Sequence, residues 1–203
     1  MKTDDEENYM DYNQDFETVN LILASTSETR GVDAFTLSLI KAEKQMRRVF
    51  TFLIFQNPNY NKDSLPDLRS TLAENEDIYF EGFIQGINLI LSNQIKDIYG
   101  DNYDEDITII LDFAKDRNKI FHGQITASGL TRDDLLKRVD HIKTWCEKLG
   151  VKLSSEIGYN GFSNSYCKST IHLTINNLYK FETIVEYKTF LTELQRHQKT
   201  KSK

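Results

Sequence analysis

Apolar residues recur at helical spacing along most of this chain. From Asp33, read as an N-cap, a strong pattern runs to about Gln56. It is apolar almost all round: Phe35, Leu37, Leu39, Ile40, Met46, Val49, Phe50, Phe52, Leu53, Ile54 and Phe55. Such a helix is central or lies at a subunit interface. Asn57-Pro58-Asn59 ends it. Ser64 then caps a short helix to about Ala73, with Asp67 as its N3 acid. A further helix is expected from about Asp77 to Tyr99, with Phe80, Ile84, Ile87, Leu91, Ile95 and Ile98 as its stripe and Gly100 as its stop. Gly82 and Gly86, four apart, suggest the close approach of another backbone.

The next helix starts at Asp104 or Asp106 and runs through Phe121, with Gly123 ending it. Thr131-Arg132-Asp133-Asp134 resembles a capping box, and Leu135, Val139, Ile142, Cys146 and Leu149 continue as an amphipathic helix. Residues 158–169 form a loop rich in Gly, Asn and Ser. Ser169 to Asn176 alternates, which suggests a short strand or extended arm. Phe181 to His197 reads as helix again. The pattern predicts an all-α bundle with a short extended segment and a terminal helix.

Composition agrees: only 2 Pro and 9 Gly in 203 residues favour long helices. The net charge of −6 sits wholly in residues 1–17, which hold seven acids and one base; the other 186 residues hold 24 acids and 24 bases. The charge therefore does not argue against nucleic acid for the body of the chain. Three parts are expected: an acidic leader over 1–17, loosely attached; one helical domain over 18–195 with its core at about 33–156; and a basic tail over 196–203. A short first helix is expected from Phe16 to Ala24, where the leader gives way to the domain. No apolar run approaches the ~20 residues of a membrane helix, and no signal peptide is expected. Cys146 and Cys167 lack metal spacing and read as reduced thiols of a cytoplasmic protein. No GxGxxG, Walker-type or HExxH pattern occurs.

The candidate chemistry lies in Lys115-Asp116-Arg117-Asn118-Lys119-Ile120-Phe121-His122-Gly123-Gln124. On a helical wheel Phe113 is about −40° from Arg117, Ile110 about +20°, Phe121 about +40° and Ala114 about +60°. Arg117 thus projects from the middle of an apolar stripe, where a cation needs a partner, a cleft or a subunit seam. Asn118 and His122, four apart, share a neighbouring face. Glu43 also sits on an apolar face, in line with Leu39, Met46 and Phe50. It pairs either with Arg117, holding it in place, or with Arg47 one turn on. Tyr159, Phe162, Tyr166 and Lys168 in the late loop either stack RNA bases or pin the loop to the core. His141, His172 and His197 form no ligand set.

Arg117-Asn118-x-x-x-His122 resembles the R-x4-6-H motif of the HEPN superfamily, over about residues 33–156. The resemblance implies a helical bundle and an endoribonuclease of toxin or antiphage abortive-infection type that needs no metal or other cofactor. Arg117 and His122 would be its catalytic pair, with Asn118 as the supporting polar residue. It implies RNA as partner, a homodimer with a composite site, and an antitoxin or defence-system partner protein. Where some members carry a modifiable Tyr two residues after the His, this chain has Gln124, so control through that Tyr is not implied. The alternatives are an RNA- or nucleotide-binding dimer that does not cut, and a helical interaction protein.

Overall fold

Apolar residues fill so much of helix α2 (Arg30–Phe55) that only a central position accommodates them. Phe35, Met46, Val49, Phe50 and Phe52 are completely buried. In this computed structural model, which describes residues 4–75, 77–122, 129–173 and 181–201, α2 packs against α1 (Asp4–Ala24), α4 (Phe80–Ile90) and α7 (Arg132–Ile157). Helix α3 (Leu65–Ala73) and α4 also pack on α8 (Ile184–Lys201), while α5 (Ile95–Tyr99) lies on α7. Helix α6 (Tyr103–Phe121) is more peripheral, with Ile110 its one fully buried residue. The fold is all-α, as the apolar pattern predicts. No helix among the described residues is long and apolar enough to cross a membrane.

Several ends differ from expectation. Helix α1 reaches back to Asp4 instead of starting at Phe16. Tyr12, Phe16 and Val19 join the core, and Asp15 accepts from Lys44 Nζ at 2.6 Å and lies 3.6 Å from Lys41 Nζ. The later part of the acidic leader is therefore fastened to α2. Asp33 lies inside α2 and is not its N-cap; its carboxylate accepts from Thr29 Oγ1, 2.7 Å away. Ser64 precedes α3 without a side-chain cap bond, because a 3-10 turn capped by Asn61 leads into it.

The helix expected over 77–99 is two helices. Leu91 turns extended (φ −84°, ψ 146°), and Asn88 Oδ1 accepts the amide of Ile95 at 2.8 Å, so a side chain supports the restart. What approaches Gly86 is a ring, not a backbone: a Cβ there would lie 2.7 Å from Phe50 Cε2. Gly100 does end α5, at φ 81°. The Thr131–Asp134 capping box is formed in full. Residues 169–173 make no strand and bend at Thr170 and Ile171; residues 174–176 lie outside the described residues. Helix α8 begins at Ile184 rather than Phe181 and runs into the basic tail as far as Lys201.

The late loop is laid across α2. Gln45, fully buried, donates from Nε2 to the carbonyls of Cys146 and Asn160, both at 3.0 Å, tying α2 to α7 and the loop. Gly161 (φ 87°) passes so close that a Cβ would lie 2.5 Å from Gln45 Cγ.

Candidate active site at the end of helix α6

Helix α6 carries the Arg-Asn…His stretch at its C-terminal end. Its apolar stripe is buried at Ile110 and surfaces toward the end, where Phe121 is 62% exposed. Arg117 lies between these extremes and turns toward α2. Its Nη1 donates to Glu43 Oε2 at 3.4 Å, and both side chains are about one-fifth exposed (18% and 21%). The two charges that fit poorly on their own apolar faces thus meet across the α2–α6 seam. Partial burial strengthens their attraction above that of a surface pair.

Asn118 holds the other side of the guanidinium. Its Oδ1 accepts from Arg117 Nε at 3.3 Å and Nη2 at 3.1 Å. The Asn118 side chain therefore positions Arg117. His122 caps α6, its amide bonded to the Asn118 carbonyl at 3.1 Å. Its ring is exposed and has no hydrogen-bond partner among the described residues. The arrangement is a cation fixed on two sides, five residues before an exposed imidazole at the helix end. Gly123 and Gln124 lie outside the described residues.

Two more contacts fix α6. Arg138 Nη1 donates to Asp116 Oδ2 at 2.7 Å, and its guanidinium lies 4.5 Å from the centroid of the Phe113 ring and 5.8 Å from that of Phe35. Tyr99 donates its hydroxyl to Asp106 at 2.5 Å; burial and the adjacent carboxylate push that phenol well above its usual range. Arg138 gave no signal in the sequence because its partners arrive only through tertiary packing.

The remaining candidates divide. Arg47 does not pair with Glu43; it lies over the Phe83 ring at 5.4 Å. Tyr159 is buried and stacked on Phe52 at 4.5 Å, and Phe162 is buried edge-on to Tyr12. Their rings serve the core and offer no open face to a base. Tyr166 is half-buried, edge-on to Phe55 and with Arg69 over its ring at 5.0 Å. Lys168 donates to the carbonyls of Phe55 and Asn57, capping the end of α2. Burial pushes its ammonium pKa down. No group of three or more metal-ligating side chains occurs among the described residues.

No curated protein and no solved structure gives a significant match to this chain. The RiboL-PSP-HEPN family model, in contrast, matches residues 22–155. That span begins near the end of α1 and closes near the end of α7, enclosing Glu43, Arg117, Asn118 and His122, while α8 packs on it from outside. With two thirds of the chain matched and the HEPN-type motif on an all-α scaffold, the protein is a member of the RiboL-PSP-HEPN family.

Proposed function

We propose that this protein is an endoribonuclease whose cutting step needs no metal ion. The observation that carries the reading is the Arg117 guanidinium held by Glu43 and Asn118, with the exposed imidazole of His122 five residues on at the end of the same helix. RNA supplies its own nucleophile. The 2′-oxygen attacks the adjacent phosphorus, the P–O5′ bond breaks, and the products carry a 2′,3′-cyclic phosphate and a 5′-hydroxyl. The enzyme needs a group that moves protons near neutrality and a cation that steadies the phosphorane. An imidazole does the first, with an ordinary pKa near ~6.5. A guanidinium does the second, its fork matching two phosphate oxygens.

One subunit brings one such pair, whereas the step calls for a base at the 2′-oxygen and an acid at the 5′-oxygen. A two-fold dimer supplies both. Exposed Phe121, next to His122, and Ile40, one turn before Glu43 and 44% exposed, supply apolar surface for that seam. The biological reading is a toxin or antiphage effector of the cytoplasm, restrained by an antitoxin or defence-system partner.

The test is RNA incubated with the protein in EDTA, alongside Arg117→Ala and His122→Ala. Cutting by the wild type alone, with cyclic phosphate ends and no cutting of DNA, is the expected result. Intact RNA in all three, or equal cutting by folded His122→Ala, overturns it. Expression of the wild type should arrest growth, and expression of His122→Ala should not.

A further inference from the structure

Helix α6 buries only Ile110 completely, and polar contacts along its length fasten it to the rest of the bundle. Toward its C-terminal end Arg138 bonds Asp116 at 2.7 Å and Arg117 bonds Glu43 at 3.4 Å. In its first turn Asp106 has the same task. Its Oδ2 accepts the Tyr99 hydroxyl of α5 at 2.5 Å. Its other oxygen, Oδ1, meets α7 in an incomplete contact. It lies 3.6 Å from Nε2 of His141, too far for a good hydrogen bond. That nitrogen is buried from water and has no hydrogen-bond partner among the described residues. The His141 ring is held there from the side, edge-on to Phe113 of α6 with centroids 5.8 Å apart.

A buried nitrogen without a partner costs stability. Protonation of the imidazole changes the balance. It sets a positive charge and an N–H opposite the carboxylate, and charge-assisted bonds are shorter and about twice as strong as neutral ones. Among ordinary side chains only an imidazole changes charge between about pH 5 and pH 8. Tyr99 keeps its proton in that range, because burial and the adjacent carboxylate hold its phenol well above the usual value. The cations nearby are otherwise engaged. Arg138, one turn before His141 on α7, is bonded to Asp116, and Lys148 lies over the Tyr99 ring and donates to the Asp101 carbonyl. Lys137 and Asp140 of α7 are exposed, and α2 brings only the uncharged ring of Phe35 against Phe113. We propose that His141 and Asp106 form a proton-operated clasp between α7 and α6, slack when the imidazole is neutral and closed when it is charged. A base that gains a partner on protonation adds its full stability below its unfolded pKa, near ~6.5 for an imidazole, and loses it as pH rises through the folded value. The hold on the first turn of α6 therefore tightens as pH falls. The clasp lies on the helix that carries Arg117 but does not depend on RNA cutting there.

Thermal unfolding of the full chain at about pH 7.5 and about pH 5.5 tests it, with the wild type, His141→Gln, Asp106→Asn and the double variant. Comparing the wild type with His141→Gln removes the effect of the other histidines, which both proteins share. The difference in melting temperature should be wider by about 2–4 °C at the lower pH, the shift expected of one such contact in a chain of this size. Between Asp106→Asn and the double variant the difference should not change with pH. A second readout needs no substitution. Amide-exchange protection from Ile107 to Leu111 in the wild type, corrected for the intrinsic pH dependence of exchange, should rise severalfold at the lower pH, and protection in α3 should not. The proposal is overturned by a melting difference that is equal at both pH values or wider at the higher one. It is also overturned by a pH dependence that survives Asp106→Asn, or by flat protection from Ile107 to Leu111.

Discussion

Arg117 on α6 and Glu43 on α2, 74 residues apart, are joined by a hydrogen-bonded ion pair at 3.4 Å. Each interrupts an apolar stripe, and each removes the other's cost. Glu43 touches no substrate in the proposed reaction; it acts through Arg117. Glu43→Gln keeps the shape but weakens the hold on the guanidinium. The expected result is a fall in kcat of about tenfold with little change in KM, since a loosened phosphate ligand loses transition-state stabilisation first. A change confined to KM would assign Arg117 to substrate binding alone. A Glu43→Gln/Arg117→Gln double-mutant cycle on stability should show coupling of about 1 kcal/mol.

The dimer seam makes a separate prediction. Phe121 is 62% exposed, so Phe121→Asp should leave helicity and melting temperature nearly unchanged. Light scattering should find a dimer for the wild type and a monomer for the variant, and RNA cutting should fall with the dimer. A wild type that is monomeric at working concentration removes the composite site.

The Glu43–Arg117 contact was half legible in the sequence because both residues break an apolar periodicity, and such misfits seek one another. The alternative partner, Arg47, was equally available by spacing; only packing decided for α6. The Thr131–Asp134 box was legible because its bonds span three residues. The break at Leu91–Gln94 was not, because the apolar stripe continues through it and the side chain that restarts the helix, Asn88, reads as an ordinary helical polar residue. Tyr159 and Phe162 show a different limit. A polar loop with aromatics looks alike whether the rings face solvent or core, and Gln45 and Gly161, which draw the loop down, lie 116 residues apart. Arg69 of α3 gave no sign that it would line one cleft with Arg47 and Arg48 of α2, since only folding brings the three together.

Arg138→Ala should destabilise the fold by about 1–3 kcal/mol in urea denaturation. Both partners of the Arg138–Asp116 pair are less than one-fifth exposed, and the guanidinium also covers the Phe113 and Phe35 rings. Arg138→Lys should recover only part of the loss, because an ammonium cannot lie flat on Phe113 while bonding Asp116. Full recovery would show that charge alone matters there.

Gly161→Ala should cost more than about 2 kcal/mol, from two independent causes. Its φ of 87° disfavours any side chain, and the added methyl meets Gln45 Cγ at 2.5 Å and the Gln45 carbonyl oxygen at 3.1 Å. Denaturant unfolding of Gly161→Ala beside Gly129→Ala separates the causes. Gly129 also has a positive φ (55°) but open space around it, so its substitution pays for backbone strain alone.

The start of α7 should leave a mark on acid unfolding. Bonds from the Thr131 hydroxyl and amide hold the Asp134 carboxyl below its ordinary range. A carboxyl lowered on folding adds stability above its unfolded pKa, near ~4, and loses it as pH falls through the folded value. Asp134→Asn should therefore melt at a lower temperature than the wild type at pH 7. The gap should narrow as the pH drops below about 4. A non-zero gap that stays constant from pH 7 to pH 2 would mean that ionisation of Asp134 contributes nothing to the fold.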